Sequence, residues 1–168
     1  MKLAAFLRAV NVGGTGKLPM SELRAICEGL GFTAVQTYIA SGNVVFETKL
    51  AAPAAKEKLS LALDKHMGKP VGVFLRDAAG LRTLLDENPF PQADGARHMI
   101  ILLDETPNAE MIANARFITD EDIRPGTAAL HVHYPTGQGA SKLKIPGAQQ
   151  GTARNRNTII KMLALLDG

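Results

Sequence analysis

The feature that most constrains the fold is the order in which hydrophobic period changes along the first part of the chain. Residues 3–10 form a mostly apolar run of strand length, and a loop with three glycines follows at 11–18. Pro19 then suits the first turn of a helix. Met20, Leu23, Ile26, Cys27 and Leu30 recur at helical spacing, and Gly31 suits the cap beyond the helix end. Residues 34–40 read as a strand. Ser41, Gly42 and Asn43 have turn chemistry, because Gly and Asn tolerate positive φ, and 44–47 read as the return strand. Residues 53–67 place Leu59, Leu63 and Met67 on one helical face, and 71–76 form a further strand. The resulting order is βαββαβ.

That order is the split-βαβ or ferredoxin-like plan. Residues 77–87 read as a further helix. NPFPQADGAR, residues 88–97, holds two prolines and a glycine and reads as a connector. A strongly apolar strand at 98–103 opens the second half, and a short helix follows near 107–114. Two strands are expected at 116–120 and 127–134 around the turn IRPG. A glycine-rich segment, PTGQGASKLKIPG, precedes a closing helix at 153–166, with Ile159, Ile160, Leu163 and Leu166 facing inward. The second half is thus expected as βαββα. The expected fold class is α+β, with two ferredoxin-like subdomains and mostly antiparallel sheets. The expected divisions are residues 1–87, the connector 88–97, and residues 98–168.

Composition limits the function classes. The chain has 168 residues, 46% apolar and 21% charged, as globular domains do. A chain of this length buries about 70% of its unfolded surface, so it needs no covalent staple. The single cysteine, Cys27, excludes a disulfide framework and a cysteine-based zinc site. Cys27 lies on the apolar face of its helix and is expected as a small core residue. No apolar stretch reaches the roughly 18 residues of a membrane span. The N-terminus imitates a signal peptide, but Arg8 interrupts its apolar run and no small-residue cleavage site follows. It is read as a buried strand, and the protein is expected in the cytoplasm, away from membranes.

Charge is concentrated late in the chain. Residues 140–161 hold Lys142, Lys144, Arg154, Arg156 and Lys161 and no acid, whereas the formal net charge of the whole chain is +3. A local cationic patch attracts phosphates, nucleic acid or acidic proteins; a solvated helix start with its preceding loop has the same composition.

Four segments carry candidate chemistry, each beside a plainer reading. RAVNVGGTGK, residues 8–17, lies between a strand and a helix. Its glycines bring backbone N–H groups close to an anion, and Arg8 and Lys17 add charge. It is not a Walker loop, since Asn11 stands where the first glycine belongs and Leu18 where a magnesium-holding hydroxyl belongs. The plainer reading is a connection that turns a corner. TYIASGNVVF, residues 37–46, presents Ser41 and Asn43 at a hairpin tip, as a ligand contact or a tight turn.

SKLK (141–144) and GTARNRNT (151–158) form the third candidate. Thr152 or Asn155 is placed to cap the last helix. Arg154 and Arg156 at a helix start oppose its dipole unless an anion binds there, which arginine grips with paired hydrogen bonds. The plainer reading is an ion pair with Asp120, Glu121 or Asp122. Last, His131 and His133 share a strand face, as half of a metal site or as exposed polar residues. No metal and no cofactor are expected.

Taken in order, RAVNVGGTGK-x-P-M-x-E-L, TYIASGNVVF, the pair Pro89–Phe90, SK and RNRNT resemble the bacterial domain-of-unknown-function family 1697. The resemblance spans Arg8 to about Leu163. It implies a single-chain protein with two ferredoxin-like subdomains and implies no reaction. The family's motif positions fall on Arg8, Asn11, Gly13, Gly14, Lys17, Met20, Leu23, Tyr38, Ser41, Gly42, Asn43, Lys142, Arg154, Asn155, Asn157 and Thr158. Ala9 replaces the usual glycine, and Arg156 replaces the usual aromatic, most often tryptophan. If that aromatic stacks on a ligand, the resemblance implies that Arg156 offers a guanidinium plane instead.

The functional expectation is a protein that binds a small phosphate-bearing anion at the loops 8–17, 41–43 and 141–158, with catalysis left open. The candidate ligand-binding residues are Arg8, Asn11, Gly13, Gly14, Lys17, Tyr38, Ser41, Asn43, Lys142, Arg154, Asn155, Asn157 and Thr158. No Ser–His–acid set, paired acids or metal-ligand cluster assigns a catalytic residue. The alternatives are a nucleic-acid-binding module using 140–161 and a protein–protein adaptor. With no Trp and two Tyr, base stacking has little to work with. A monomer and a homodimer both fit, since split-βαβ sheets present edges.

Overall fold

The structure, a computed structural model, describes residues 1–8, 10, 17–39 and 42–168. The chain divides into two compact units. Unit 1 comprises Met1–Gly80 with Lys161–Gly168, and unit 2 comprises Leu81–Ile160. The closing residues therefore group with the first unit, and residues 81–87 with the second. The fold is α+β with two four-stranded antiparallel sheets, as expected.

Unit 1 is built from β1 (Lys2–Arg8), α1 (Met20–Gly29), β2 (Thr33–Thr37), β3 (Asn43–Glu47), α2 (Ala52–Met67) and β4 (Gly72–Arg76). The sheet order is β2-β3-β1-β4 with every neighbour antiparallel. That is the arrangement the split-βαβ plan requires. Leu3, Ala5 and Leu7 point to one face of β1 and pack with Leu23, Cys27, Phe46, Leu59 and Leu63. Phe32 and Phe46 stack at 4.3 Å between ring centroids. Gly31 has φ +87° and follows α1 as expected, with its N–H donating to the Glu28 carbonyl. At the other end of the unit, Lys2 Nζ donates to the Gly168 carbonyl at 3.0 Å. Cys27 is fully buried, and burial, helped by the Glu28 charge, pushes its thiol up to about 12. It is an inert core residue.

Helix α3 (Ala78–Asp86) leads out of unit 1. Unit 2 then contains β5 (His98–Leu102), α4 (Ala109–Ala113), β6 (Asp122–Gly126), β7 (Ala129–His133) and β8 (Thr152–Asn155), and α5 (Arg156–Asp167) begins in it. The sheet order β6-β7-β5-β8 repeats that of unit 1. Two 3-10 turns, Gln138–Ala140 and Pro146–Ala148, stand in the crossover where unit 1 has α2.

Two expectations need correction in this unit. The strand expected at 116–120 is absent, Arg116 making only an isolated bridge, and IRPG is not a turn: Ile123, Arg124, Pro125 and Gly126 lie in β6. Proline is tolerated there because β6 is an edge strand, where a missing N–H breaks no ladder. The reversal comes at Thr127 and Ala128, and Ala128 takes φ 48°. Second, the last helix starts at Arg156 rather than 153, because 152–155 form β8, an additional strand. Thr152 and Arg154 are buried on one side of β8, which a polar sequence does not advertise. Asn155, as expected, accepts from Thr158 N–H at 2.9 Å and so caps α5.

Gly42 holds a tight position, with φ +87° and its carbonyl accepting from Leu7 N–H at 2.8 Å. A Cβ there would meet Val10 Cγ2 at 2.7 Å and Leu7 Cβ at 2.9 Å. Gly42→Ala therefore combines left-handed strain with overpacking, and we expect it to cost about 2 kcal/mol in urea unfolding at unchanged m-value.

Candidate functional site

The candidate ligand residues divide between the two units. In unit 1, Asn11, Gly13, Gly14 and Ser41 lie outside the described residues. Arg8 ends β1 half-buried, with its stem against Gly72, where a Cβ would come within 2.9 Å of Arg8 Cβ. Lys17 is exposed. Asn43 is fully buried, and its Nδ2 donates to the Tyr38 carbonyl at 3.0 Å, while Tyr38 N–H donates to the Asn43 carbonyl at 2.9 Å. These bonds close the hairpin, so Asn43 shapes the turn. Lys161 Nζ lies 6.0 Å from the Tyr38 ring centroid.

In unit 2, Lys142 is exposed, and Ser141 Oγ accepts from Leu143 N–H at 3.1 Å. Lys144 and Arg116 form an antiparallel bridge, exchanging backbone hydrogen bonds of 2.8 and 3.0 Å, and both are exposed. Two cations therefore sit directly across from each other, a repulsive arrangement on a sheet-like surface. Arg154 is not at a helix start. It is 7% exposed on β8, and its Nη1 donates to Thr152 Oγ1 at 2.7 Å and to the Ala153 carbonyl at 2.9 Å. Burial pulls its pKa down to about 10, which leaves it charged at neutral pH. Asn157 lies against Gly95, where a Cβ would overlap the Asn157 side chain at 2.1 Å. Thr158 is buried.

A second constellation in unit 2 escaped the sequence reading. His98 and His131 are both fully buried, so His131 is not an exposed strand residue. Strand register sets His98 opposite His133 and Ile100 opposite His131, which puts the two buried imidazoles diagonally on one face. His98 Nε2 lies 2.8 Å from His131 Nδ1. His131 Nε2 lies 3.2 Å from Glu87 Oε1. At the other end, Arg156 Nη1 lies 3.1 Å from His98 Nδ1. Arg156 also donates to the Phe90 carbonyl at 3.1 Å and to the Ala93 carbonyl. Thr127 N–H and Oγ1 donate to the two Glu87 oxygens at 2.8 and 2.9 Å.

The direction of this chain follows from its ends. A guanidinium only donates and a carboxylate only accepts. His98 Nδ1 must therefore accept from Arg156, its Nε2–H must donate to His131 Nδ1, and His131 Nε2–H must donate to Glu87. Both imidazoles are neutral in this arrangement. Burial, with the charges of His131, Arg156 and His133, pulls His98 down to about 3. Burial also lowers His131, opposed by its hydrogen bond to Glu87 and that residue's charge. Partial burial raises the Glu87 carboxyl, but the bonds from Thr127 and His131 hold it below the ordinary carboxylate range.

With each ring nitrogen of His98 and His131 engaged, neither imidazole has an atom turned to a substrate or a metal. Among the described residues, no group of three or more His, Cys, Asp or Glu side chains is placed to hold a metal ion. Arg156 commits N–H donors to the Phe90 and Ala93 carbonyls and to His98. The signal that was available in the sequence was three histidines on two strands. The partners Glu87 and Arg156 lie outside those strands and carried no such mark.

The family described as "Protein of unknown function (DUF1697)" matches residues 1–130. The chain belongs to this family. Among curated proteins none matches it. The conserved bacterial protein SP0830 from Streptococcus pneumoniae has a similar structure, with TM-score 0.78, 24% sequence identity and 98% of each chain covered. At that identity the likeness speaks for the fold of this DUF1697 member alone.

The depressed His98 affinity has a pH signature. A base whose folded pKa lies below its unfolded value contributes stability above the unfolded pKa and loses it as pH falls toward the folded one. The unfolding free energy should therefore fall between pH 6.5 and about 3, at up to about 1.4 kcal/mol per pH unit from this ring. His98→Gln should flatten that slope in denaturant titrations; equal slopes in both proteins would contradict the assignment.

Proposed function

We propose that the protein binds a small phosphate-bearing anion through the cationic segment 141–144 of unit 2, and that the 8–17 loop of unit 1 is a separate candidate for such an anion. The observation that carries this reading is the Arg116–Lys144 bridge, which sets two exposed cations opposite each other two residues from exposed Lys142. An anion seated there relieves their mutual repulsion. Lys17 supplies an exposed cation in the other loop. Arg154 and Asn43 belong to this proposal as supports for their segments, since both are buried.

A nucleic-acid module is the less favoured reading. Arg154 is buried and Arg156 is committed to backbone carbonyls, so the basic 140–161 segment presents less charge than its sequence suggests. The proposal also places the protein in the bacterial cytoplasm. Its lone thiol is buried, and no helix among the described residues is long and apolar enough to cross a membrane. It assigns no catalytic residue and invokes no cofactor.

The test is a thermal-shift series at low salt with pyrophosphate, nucleotides, sugar phosphates and a single-stranded oligonucleotide. A phosphate compound at 100 times its dissociation constant stabilises the fold by about 2.7 kcal/mol. That gain should vanish in Lys142→Ala/Lys144→Ala, whose unliganded form is at least as stable as the wild type, and Lys17→Ala tests the 8–17 loop separately. Stabilisation by the oligonucleotide alone, falling steeply with salt, would replace this reading with the nucleic-acid one. No stabilisation by any of them would leave the adaptor reading in its place.

A further inference from the structure

The Glu87–His131–His98–Arg156 chain has no part in the proposed anion site, and its geometry points to a different role. We propose that it is an acid-released latch: a proton added to either imidazole is converted into loss of Arg156's grip on the 88–97 connector. The connector is held from α5 by two bonds from one guanidinium, to the Phe90 and Ala93 carbonyls, and the same guanidinium terminates the imidazole chain. Phe90 stands edge-on to the His98 ring at 5.3 Å and tilted against His133 at 5.5 Å, so the connector packs on the rings it responds to.

The conversion follows from donor bookkeeping. Every ring nitrogen is already a donor or an acceptor in the chain. A proton from solvent placed on His131 Nδ1 faces the N–H of His98 Nε2. Moving the His98 proton to Nδ1 relieves that contact but sets an N–H against the N–H of Arg156. A proton placed on His98 Nδ1 directly gives the same clash and adds like charge. The one contact that cannot adapt is His98–Arg156, because arginine has no acceptor to offer. No covalent step is involved; one proton is taken up and one guanidinium contact is lost.

The charged surroundings favour this outcome. From β7 comes His133, from β8 Arg154, and from α5 Arg156, whereas Glu87 is the carboxylate in contact with the rings. On β6, Asp122 and Arg124 lie across from His133 and His131 and are bonded to each other at 2.8 Å. In the connector itself, Asp94 accepts from Ala96 N–H, and Arg97 donates to the Pro135 carbonyl. Cations thus outnumber anions at the His98 end, so an added charge there meets repulsion that Glu87, one ring away, offsets poorly. An opened His98 regains its ordinary proton affinity, so acid favours the open form progressively.

The experiment is hydrogen exchange on the full chain, comparing the connector amides of Ala93, Ala96 and Arg97 with those of β5, at pH 7 and about pH 4, corrected for intrinsic rates. The latch predicts that connector protection falls by about tenfold or more in acid while β5 keeps its protection. Arg156→Lys, whose donors all sit on one nitrogen and cannot reproduce the two-nitrogen reach to Phe90, His98 and Ala93, should expose the connector already at pH 7 and abolish its pH dependence. Connector and β5 losing protection together, a wild-type connector indifferent to pH, or wild-type pH dependence in Arg156→Lys would each overturn the proposal.

Discussion

A guanidinium cannot accept a hydrogen bond and an ionised carboxylate cannot donate one. Arg156 and Glu87 stand at opposite ends of two buried imidazoles, and this asymmetry dictates every proton between them. The consequences reach beyond the four side chains. Glu87 follows α3, His98 opens β5, His131 lies on β7 and Arg156 begins α5. A chain of bonds through these residues therefore ties the sheet of unit 2 to the segments that enter and leave it. Gly126 on β6 shows how closely the arrangement is packed: a Cβ there would meet Glu87 Oε1 at 2.5 Å and the His131 ring at 2.8 Å.

The same sheet order serves two different ends in the two units. In unit 1, α1 and α2 cover one face of the sheet, and the core is aliphatic and aromatic. In unit 2, one face carries an apolar cluster of Leu130, Val132, Tyr134 and Ile145. The opposite face carries His98, His131 and Arg154, all buried. Burying such groups is costly unless each is bonded, and no buried side-chain nitrogen or oxygen among the described residues lacks a partner. These bonded polar groups share their face with the buried apolar side chains Ile100, Leu102 and Ala129.

Most of the fold was legible because it rests on local patterns. The period changes at 20–30 and 53–67, the glycine after α1 and the Asn155 cap are short-range signals, and each corresponds to an observed feature. The failures were long-range. β8 was hidden because Thr152 and Arg154 are polar residues buried by tertiary context, and β6 was hidden because proline and glycine read as a turn unless the strand is known to be an edge. The candidate site divides in the same way. Asn155 shows its function in its position before a helix, whereas the pairing of His98 with His131 depends on strand register, and Arg156 with Phe90 spans 66 residues. The resemblance implies a ligand contact at Arg156. Its partners show a structural use for a cation there, bonded to two carbonyls and an imidazole.

The central claim is the direction of the imidazole chain, and nitrogen-15 spectra of the histidine rings at neutral pH test it without any substitution. The account predicts that His98 and His131 are both neutral, each with the proton on Nε2 and an unprotonated, hydrogen-bonded Nδ1. Either ring found doubly protonated, or carrying its proton on Nδ1, would contradict it.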